Sequence, residues 1–241
     1  MASLRIVSLN IESEKHLDCV EDFLTKENPD VVCLQEVLEP HMERLGEASG
    51  ATTQYFTPMN KQEVDGALVQ MGVAVFSRFG ATFHKPHYYI GTMDDTPFIT
   101  RVPSGDKDNR VFVLADIEHE GVMFRIGTTH FTWTPDGEAS DGQRRDLQKL
   151  LTILAASGEL VFAGDFNAPR GGEIFSALST HYKDNVPIVY DSSIDPTLHR
   201  RGHLKRMVDG IFSTPHYTVS NVRMVCGLSD HCALVGTVSS S

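Results

Sequence analysis

The stretch LRIVSLNIESEKHLDCVEDFLTKENPDVVCLQE, residues 4–36, decides the fold. Its first residues, 4–9, form a short β-branched and aliphatic run that is typical of a buried strand. Across residues 15–28 the apolar side chains recur at helical spacing, and Pro29 ends that pattern. Residues 31–34 predict a second buried strand. Strand, helix and strand in this order form a βαβ unit, whose two strands run parallel when they share a sheet.

Further strands and helices follow along the chain, without a linker rich in Pro, Gly or Ser. The patterns predict helices at about 140–156 and 173–178 and strands at 73–76, 111–118, 122–128, 160–163, 208–212, 217–225 and 232–238. Because parallel crossovers and hairpins occur together, we expect an α/β fold. The expected architecture is a four-layer α-β-β-α sandwich, with two packed mixed sheets and helices outside, and we expect residues 1–241 to form one domain. The weakly patterned residues 84–109 are long for a loop, so a functional excursion and a plain surface excursion both remain open.

The composition excludes several classes of protein. With 41% hydrophobic residues, the chain of 241 residues is too apolar to be mainly disordered. No apolar run approaches the roughly 20 residues that a membrane span needs, and the N-terminus lacks a basic leader followed by an apolar core. We therefore expect a cytoplasmic protein without a membrane span. The net charge of −11 repels polyanions, so a nucleic-acid or phosphate substrate must be met by a local basic patch or by metal ions.

The cysteines do not predict a metal site. Cys19, Cys33, Cys226 and Cys232 include no Cys-x-x-Cys pair, and each lies in an apolar stretch. In a reducing compartment we expect free thiols that behave as small hydrophobic side chains. A disulfide between Cys226 and Cys232 is the less favoured alternative.

Polar side chains stand at the ends of many predicted strands. They are Asn10, Glu36, His130, Asp165 with Asn167, Asp209, and Asp230 with His231. Their strand ends can converge on one rim, where α/β sheets usually bind ligands. Carboxylate oxygens suit Mg²⁺ or Mn²⁺ rather than zinc, and histidines supply proton transfer or charge. The set predicts metal-assisted attack of water on a phosphorus ester.

Six short motifs lie in order along the chain at these positions. They are Leu9-Asn10, Leu34-Gln35-Glu36, Thr129-His130, Gly164-Asp165-Phe166-Asn167, Val208-Asp209-Gly210-Ile211-Phe212 and Ser229-Asp230-His231. In this order they resemble the endonuclease/exonuclease/phosphatase superfamily of deoxyribonuclease I-like, metal-dependent phosphodiesterases. Residues 72–78 and 145–148 are similar to the middle strand of that family and to the helix after its histidine strand. Any one motif arises by chance, whereas six in order across residues 9–231 do not.

The resemblance implies how metal and water are held. Glu36 is the implied main ligand of a Mg²⁺ or Mn²⁺ ion, with Asn10 and Asp230 close enough to assist. Asp165 would orient or deprotonate the attacking water. Asn167 would hold the water, the phosphate or a second ion. Taken singly, each has a structural alternative, such as a turn at Asn10 or an Asx turn at Asp165.

The resemblance also implies roles for two histidines. His231 is expected to contact the scissile phosphate, with Asp209 holding its tautomer and orientation. His130 would lie near the leaving oxygen, where exonuclease III-like members have a tyrosine. The chain is therefore more similar to the deoxyribonuclease, sphingomyelinase and tyrosyl-DNA phosphodiesterase branches. The acidic partner that some members place beside the first histidine is not identifiable in the sequence.

The densest positive cluster precedes the Asp209 strand. We call its residues, Arg200, Arg201, Lys205 and Arg206, the basic lip; they form either an anion-attracting edge of the site or a solvated loop. We expect hydrolysis of a phosphodiester substrate, with DNA or RNA first, and no obligate protein partner is evident.

Two other functions remain open. A phosphodiesterase or phosphatase for a small head group, such as a phospholipid or sugar phosphate, is favoured by the acidic surface and by the scarcity of aromatics near the basic lip. A binding protein that has lost catalysis is disfavoured, because no metal carboxylate or histidine is missing.

Overall fold

Two mixed β-sheets pack face to face in the computed structural model, which describes residues 2–99 and 108–240. In chain order its elements are β1 (Ser3–Asn10), α1 (Leu17–Glu27), β2 (Val31–Leu38), a 3₁₀ turn (Glu39–His41), α2 (Met42–Ser49), β3 (Thr53–Val64), β4 (Ala67–Ser77), β5 (Ala81–Phe83), β6 (His87–Ile90), β7 (Arg110–His119), β8 (Val122–His130), α3 (Asp141–Ala156), β9 (Val161–Asp165), α4 (Glu173–His181), β10 (Lys183–Asp184), β11 (Asp209–Ser213), β12 (Tyr217–Val225) and β13 (Ala233–Ser240).

The order of the strands brings distant parts of the chain together. The first sheet has the order β12-β13-β1-β2-β4-β3. The second has the order β10-β11-β9-β8-β7-β5, and β6 also pairs with β7. β1 and β2 run parallel, as the βαβ prediction requires, and β8 and β9 are also parallel. Each sheet therefore contains both parallel and antiparallel pairs, which confirms the prediction of two mixed sheets.

Three apolar layers hold the four-layer sandwich together. Val75 of the first sheet and Val113 of the second belong to the layer between the sheets. α1 and α2 cover the outer face of the first sheet, where Leu24 packs. α3 and α4 cover the outer face of the second sheet, where Leu150 and Phe175 pack. Helices therefore lie outside two packed sheets, and the predicted α-β-β-α arrangement is confirmed.

Local sequence explains where several elements begin and end. The Ser140 hydroxyl caps α3 by accepting a hydrogen bond of 3.1 Å from the Gln143 amide. α1 ends at Asn28, which adopts a left-handed conformation that Asn tolerates, and Pro29 follows it. The β7–β8 hairpin turns through Glu120 and Gly121, both at positive φ.

Several elements were not predicted. α2 and β3 lie between the predicted second strand and residue 73, and β5 and β6 precede residue 91. Of the weakly patterned residues 84–109, positions 87–90 form β6, and positions 100–107 lie outside the described residues. Among the described residues, no helix is long and apolar enough to span a membrane.

Candidate active site

The candidate site lies where strand ends of the two sheets meet. In the second sheet, pairing places His130 beside Asp165 and Asp165 beside Asp209, so that three neighbouring strands contribute one side chain each. In the first sheet, β1 ends at Asn10. The Asn10 Nδ2 atom lies 3.1 Å from Glu36 Oε1 and 3.1 Å from Asp165 Oδ2. One amide therefore joins the carboxylates of both sheets.

A β-bulge aims Glu36 into the site. Leu34 pairs with Ala74 and Val37 pairs with Gly72, so that two residues of β2 oppose one residue of β4. Glu36 itself has a φ of 58°, a left-handed conformation that costs a residue with a side chain about 1–3 kcal/mol. The bulge therefore sacrifices some stability to turn this carboxylate toward Asn10.

Gln35 ties the two sheets together beneath the site. Its side chain is fully buried, and its Nε2 atom lies 3.2 Å from the Thr128 hydroxyl of β8 and 3.2 Å from the Cys33 carbonyl oxygen. A buried amide that donates both of its hydrogens fixes the distance between the sheets better than apolar contact alone.

The turn after β9 holds the Asp165 carboxylate. A Cβ atom on Gly164 would lie 2.0 Å from the Thr129 carbonyl oxygen, so that only glycine allows β8 and β9 to approach at this point. The Asn167 amide then donates a 2.8 Å hydrogen bond to Asp165 Oδ1, and Asn167 Nδ2 donates to the Phe131 carbonyl oxygen at 3.0 Å. The Asx turn that the sequence left open as an alternative is thus present, and it orients the carboxylate toward the site.

Two histidine rings flank Asp165. His231 Nε2 lies 3.7 Å from Asp165 Oδ2, and its Nδ1 lies 2.8 Å from Asp209 Oδ2. His130 Nε2 lies 3.5 Å from Asp165 Oδ2 and 4.0 Å from Glu36 Oε1. His130 Nδ1 is buried without a hydrogen-bond partner in the part of the chain that the structure describes. Among the described residues no acidic group therefore contacts Nδ1 of this ring, and its acidic neighbours lie on the Nε2 side.

The two rings carry different charges. Burial lowers the pKa of His130 well below its usual value, and the nearby Arg110 guanidinium adds to that effect. Burial alone would also lower the pKa of His231, but the Asp209 and Asp165 carboxylates outweigh it and hold that pKa well above the usual value. At neutral pH the site therefore contains one neutral imidazole and one imidazolium.

The Glu36 and Asp165 carboxyl groups lose their protons less readily than free carboxyl groups do. Burial raises the pKa of Glu36 to about 7, and repulsion from Asp230 contributes. Burial also raises the pKa of Asp165 to about 6. Burial is the larger cause for both groups, and repulsion from neighbouring carboxylates adds to it.

The sequence from residue 7 to residue 231 matches the family model described as the endonuclease/exonuclease/phosphatase family. The chain belongs to this family. Members of the family hydrolyse phosphoric esters, so the protein is a hydrolase of that class. A search of curated proteins finds no significant match to the sequence.

Solved structures of the endonuclease/exonuclease/phosphatase family share the fold. An endonuclease/exonuclease/phosphatase from Bacteroides vulgatus superposes with a TM-score of 0.75 at 17% identity, over 100% of both chains. A mannosyl-6-phosphatase from Bacteroides thetaiotaomicron superposes with a TM-score of 0.70 at 11% identity, over 98% of this chain and 99% of its own. The human nocturnin catalytic domain with bound sulfate superposes with a TM-score of 0.66 at 18% identity, over 99% of this chain and 94% of its own.

Endonuclease/exonuclease/phosphatase enzymes generally use divalent metal ions, and the donor chemistry of this site fits one. Glu36 and Asp165 present carboxylates within 3.1 Å of one amide, and Asp230 is close enough to raise the pKa of Glu36. Hard divalent cations prefer such oxygen donors, and a cation would relieve the repulsion between them.

A second group of side chains is less suited to hold the ion. Ligand atoms of Asp165, Asp209 and His231 lie within 4.8 Å of one another. However, His231 Nδ1 is hydrogen-bonded to Asp209, and the raised pKa of His231 favours a protonated ring. A metal ion binds only a neutral imidazole. The carboxylates around Glu36 are the better candidates.

Asn10 presents its amide hydrogens, not its oxygen, to the carboxylates. Its Oδ1 accepts a 3.1 Å hydrogen bond from the Glu12 main-chain amide, which fixes the orientation of the side chain. In this arrangement Asn10 orients Glu36 and Asp165. The metal contact predicted for Asn10 would require the amide to turn, so that role stays a prediction.

The basic lip is dispersed rather than concentrated at the site. Arg201 donates to the Pro135 carbonyl oxygen at 3.3 Å, and Lys205 pairs with an aspartate at 3.4 Å. The Arg206 guanidinium lies against Gly137. Arg200 is exposed and lies next to His199, whose ring is within electrostatic range of Asp230. Of the four residues, Arg200 is the best candidate for an anion contact.

The sequence did not reveal two residues whose hydrogen bonds support the main chain around the site. The Ser193 hydroxyl accepts hydrogen bonds from the Val208 and Asp209 amides at 3.0 and 3.1 Å. Asp195, which is almost fully buried, accepts from the Gly227 amide at 2.7 Å. Both precede the basic lip in a segment without strand periodicity, and no signal in the sequence marks them.

The prediction of free thiols is wrong for two of the four cysteines. Cys226 and Cys232 form a disulfide, whereas Cys19 and Cys33 are free. Val225 pairs with Ala233 across the β12–β13 hairpin, so that the two cysteines stand opposite each other as the next pair of residues. Reasoning from the compartment alone could not anticipate this strand register.

Proposed function

We propose that the protein hydrolyses a phosphodiester bond with water as the nucleophile and with Mg²⁺ or Mn²⁺ as its cation. The observation that carries this proposal is the convergence of Asp165 with a neutral and a cationic histidine, beside the carboxylate of Glu36. No serine, threonine or cysteine nucleophile is needed for this chemistry. Family membership supports the hydrolysis of a phosphoric ester but leaves the substrate and the metal open.

Asp165 orients the attacking water and accepts its proton. A carboxylate with a pKa of about 6 is a competent base near neutral pH, because it is largely ionised there and still binds a proton. Asn10 and the Asn167 main-chain amide hold this carboxylate in place, and the Asn167 side chain would hold the water, the phosphate or a second ion.

The histidines act on the phosphate. His231, held by Asp209 and positively charged, stabilises the charge that develops on the phosphoryl oxygens. His130, neutral and with Nε2 toward the carboxylates, would lie near the leaving oxygen and bind it through a hydrogen bond. A neutral imidazole is too weak an acid to protonate that oxygen, so the proton would come from water. Glu36 and Asp230 would hold the cation, which when bound polarises the phosphoryl group and lowers the pKa of water.

A nucleic acid, DNA or RNA, is the first candidate substrate. Arg200 is exposed, and its neighbour His199 is within electrostatic range of Asp230 and His231, which supports contact of Arg200 with a phosphate next to the scissile one. A phosphoester of a small head group is the second candidate. It is supported by the net charge of −11, by the dispersal of the basic lip, and by the fold shared with a mannosyl-6-phosphatase.

Two broader predictions belong with this proposal. A single domain over residues 1–241 is supported by the pairing of β1 with β13, which brings the first and last strands together. The cytoplasmic location stays a prediction, and the Cys226–Cys232 disulfide argues against it, since such bonds persist mainly in oxidising compartments. The absence of an obligate protein partner also stays a prediction.

A substrate panel tests the proposal. Single- and double-stranded DNA, RNA, 5′-tyrosyl DNA, lysophospholipid and sugar phosphates are incubated with Mg²⁺, with Mn²⁺ and with EDTA, and Asp165→Asn serves as the matched control. We expect hydrolysis of at least one class, its loss in EDTA, and its loss in the variant. Hydrolysis that persists in EDTA or in Asp165→Asn, or no hydrolysis of any class, would overturn the proposal.

A further inference from the structure

The loop between β12 and β13 carries two residues of the candidate site. β12 ends at Val225, β13 begins at Ala233, and residues 226–232 between them include Asp230 and His231. The Cys226–Cys232 disulfide closes the base of this loop, which we call the clamped loop. The bond therefore connects both ends of the segment that presents Asp230 and His231.

The two ends of the clamped loop are held unequally. At its C-terminal end, the Cys232 amide donates to the Ser193 carbonyl oxygen at 2.7 Å, and the Asp195 amide donates to the Asp230 carbonyl oxygen at 2.9 Å. At its N-terminal end, the Gly227 amide donates to the Asp195 carboxylate at 2.7 Å. Cys226 itself is exposed, and Gly227 has a φ of 84° that suits only glycine. The disulfide thus restrains the exposed end together with the Val225–Ala233 strand pair and the buried Leu228.

We propose that the Cys226–Cys232 disulfide is a redox-sensitive clamp that positions Asp230 and His231, so that a dithiol reductant lowers the activity of the site by opening it. The inference rests on the roles proposed above for Asp230 and His231. Neither sulfur takes part in catalysis, and both cysteines act as positioning residues.

Exposure of the two sulfurs determines the course of reduction. Cys226 is exposed, whereas Cys232 is buried with 1% of its surface accessible. A thiolate of the dithiol attacks Cys226 Sγ, the S–S bond breaks, and Cys232 leaves as a thiolate that takes up a proton. The second thiol of the reductant then displaces the Cys226 sulfur. Two electrons pass to the protein, which gains two thiols, and the dithiol becomes a cyclic disulfide.

The Asp195 carboxylate lies beside the disulfide. A carboxylate oxygen of Asp195 lies within 4.8 Å of both Sγ atoms. Once the sulfurs are thiols, no covalent bond joins the two ends of the clamped loop, and hydrogen bonds such as that from the Gly227 amide to Asp195 remain. Reduction thus releases the N-terminal end of the clamped loop and allows Asp230 and His231 to depart from their positions.

Loss of alignment has a measurable cost. A displacement of about 1 Å in catalytic groups can lower a rate on the order of 100-fold. Because hydrogen bonds still hold the Cys232 end, we expect a smaller loss in kcat/KM, of about tenfold, after reduction. The Mn²⁺ concentration that gives half-maximal activity should rise in parallel, since Asp230 is a proposed ligand.

The experiment compares the oxidised protein, the protein reduced with dithiothreitol and freed of it under nitrogen, and the C226S/C232S double variant. C19S is the matched control, because Cys19 is an exposed free cysteine on α1. Mass spectrometry after alkylation verifies the state of each thiol. We expect the reduced protein and the double variant to lose activity equally, reoxidation to restore only the former, and C19S to respond as the natural sequence does.

Amide hydrogen exchange provides a readout that needs no substrate. Reduction should accelerate exchange at residues 227–231 and leave exchange in the β1–β2 pair unchanged. Full activity with an opened disulfide, or unchanged exchange in the clamped loop, would overturn the clamp. If the oxidised protein hydrolyses no substrate, the proposed function fails, and exchange still decides whether the clamp exists. If the double variant does not fold, the reduced natural protein and C226S provide the same comparison.

Discussion

The Glu36 carboxylate is expected to oppose folding when no metal is bound. Its pKa rises from the usual 4.5 to about 7, because the side chain is largely buried and because Asp230 lies nearby. A tenfold change in proton affinity corresponds to about 1.4 kcal/mol, so the ionised carboxylate destabilises the metal-free fold by about 3 kcal/mol at pH 8. Below the pKa of the unfolded chain both states are protonated and the cost vanishes. The cost appears as the pH rises from about 4.5 to 7.

Glu36→Gln removes this charge and keeps an oxygen that can accept from Asn10. In EDTA at pH 8 we expect the variant to be more stable than the natural sequence by about 2–3 kcal/mol, and at pH 5 by less than about 1 kcal/mol. Saturation with Mn²⁺ should narrow or close this gap. At a free concentration 100 times the dissociation constant, the natural protein gains about 2.7 kcal/mol, and the variant gains less. Urea unfolding at both pH values, with EDTA and with Mn²⁺, measures these free energies.

Glu47→Gln is the matched control, since Glu47 is exposed on α2. Its free energy of unfolding should stay within about 0.5 kcal/mol of the natural value in every condition. If Glu36→Gln is no more stable at pH 8 in EDTA, or if the gain is the same at both pH values, then repulsion and burial do not burden the Glu36 carboxylate as the structure indicates. Equal stabilisation of both proteins by Mn²⁺ would remove Glu36 as a ligand.

Further outcomes follow from single contacts. Asp165→Asn and His231→Ala should each lower kcat by about two orders of magnitude or more at saturating Mn²⁺, because they remove the base and the cationic group, and natural rates in either variant would reject the assigned roles. Ser140→Ala removes the cap of α3 and should cost about 1 kcal/mol in a thermal melt with kcat unchanged at 25 °C; an unshifted melt would show that the cap is dispensable. Arg200→Ala should raise KM for a nucleic acid more than Lys205→Ala, since Lys205 already pairs with an aspartate, and equal effects would contradict that assignment.

Sequence periodicity was sufficient to predict the position of a site residue that stands at the end of a buried strand. The βαβ unit of residues 4–36 predicted the parallel pairing of β1 and β2, and Asn10 and Asp165 stand at strand ends as expected. Buried strands have a strong apolar signal, and the carboxyl ends of neighbouring strands share an edge whatever lies between them. The order of the motifs in the sequence therefore indicated which side chains would lie together.

Sequence periodicity was insufficient where long-range pairing decides the geometry. Glu36 points into the site because β2 bulges against β4, a strand more than 30 residues away. The pattern of β3 is interrupted at Pro58, where its register with β4 shifts, and so its period of two is lost. The disulfide depends on the β12–β13 register, and the orientation of the Asn10 amide depends on the Glu12 main chain. The bulge, the register shift and the disulfide each depend on a partner strand that the local pattern does not reveal.

The charge of the protein constrains how a substrate is held. Several of the 32 acidic residues, including Glu36, Asp165 and Asp230, converge on the site, and a bound divalent cation would offset two of those charges. Outside the site the acidic excess remains, because the chain has 32 acidic against 21 basic residues. A long polyanion in contact with many surface positions would therefore be repelled at most of them, whereas one or two phosphates at the cation and Arg200 would not. Either candidate substrate must therefore be bound mainly through one or two phosphates at the cation and Arg200. A small phosphoester can bind in this way without contacts elsewhere on the surface.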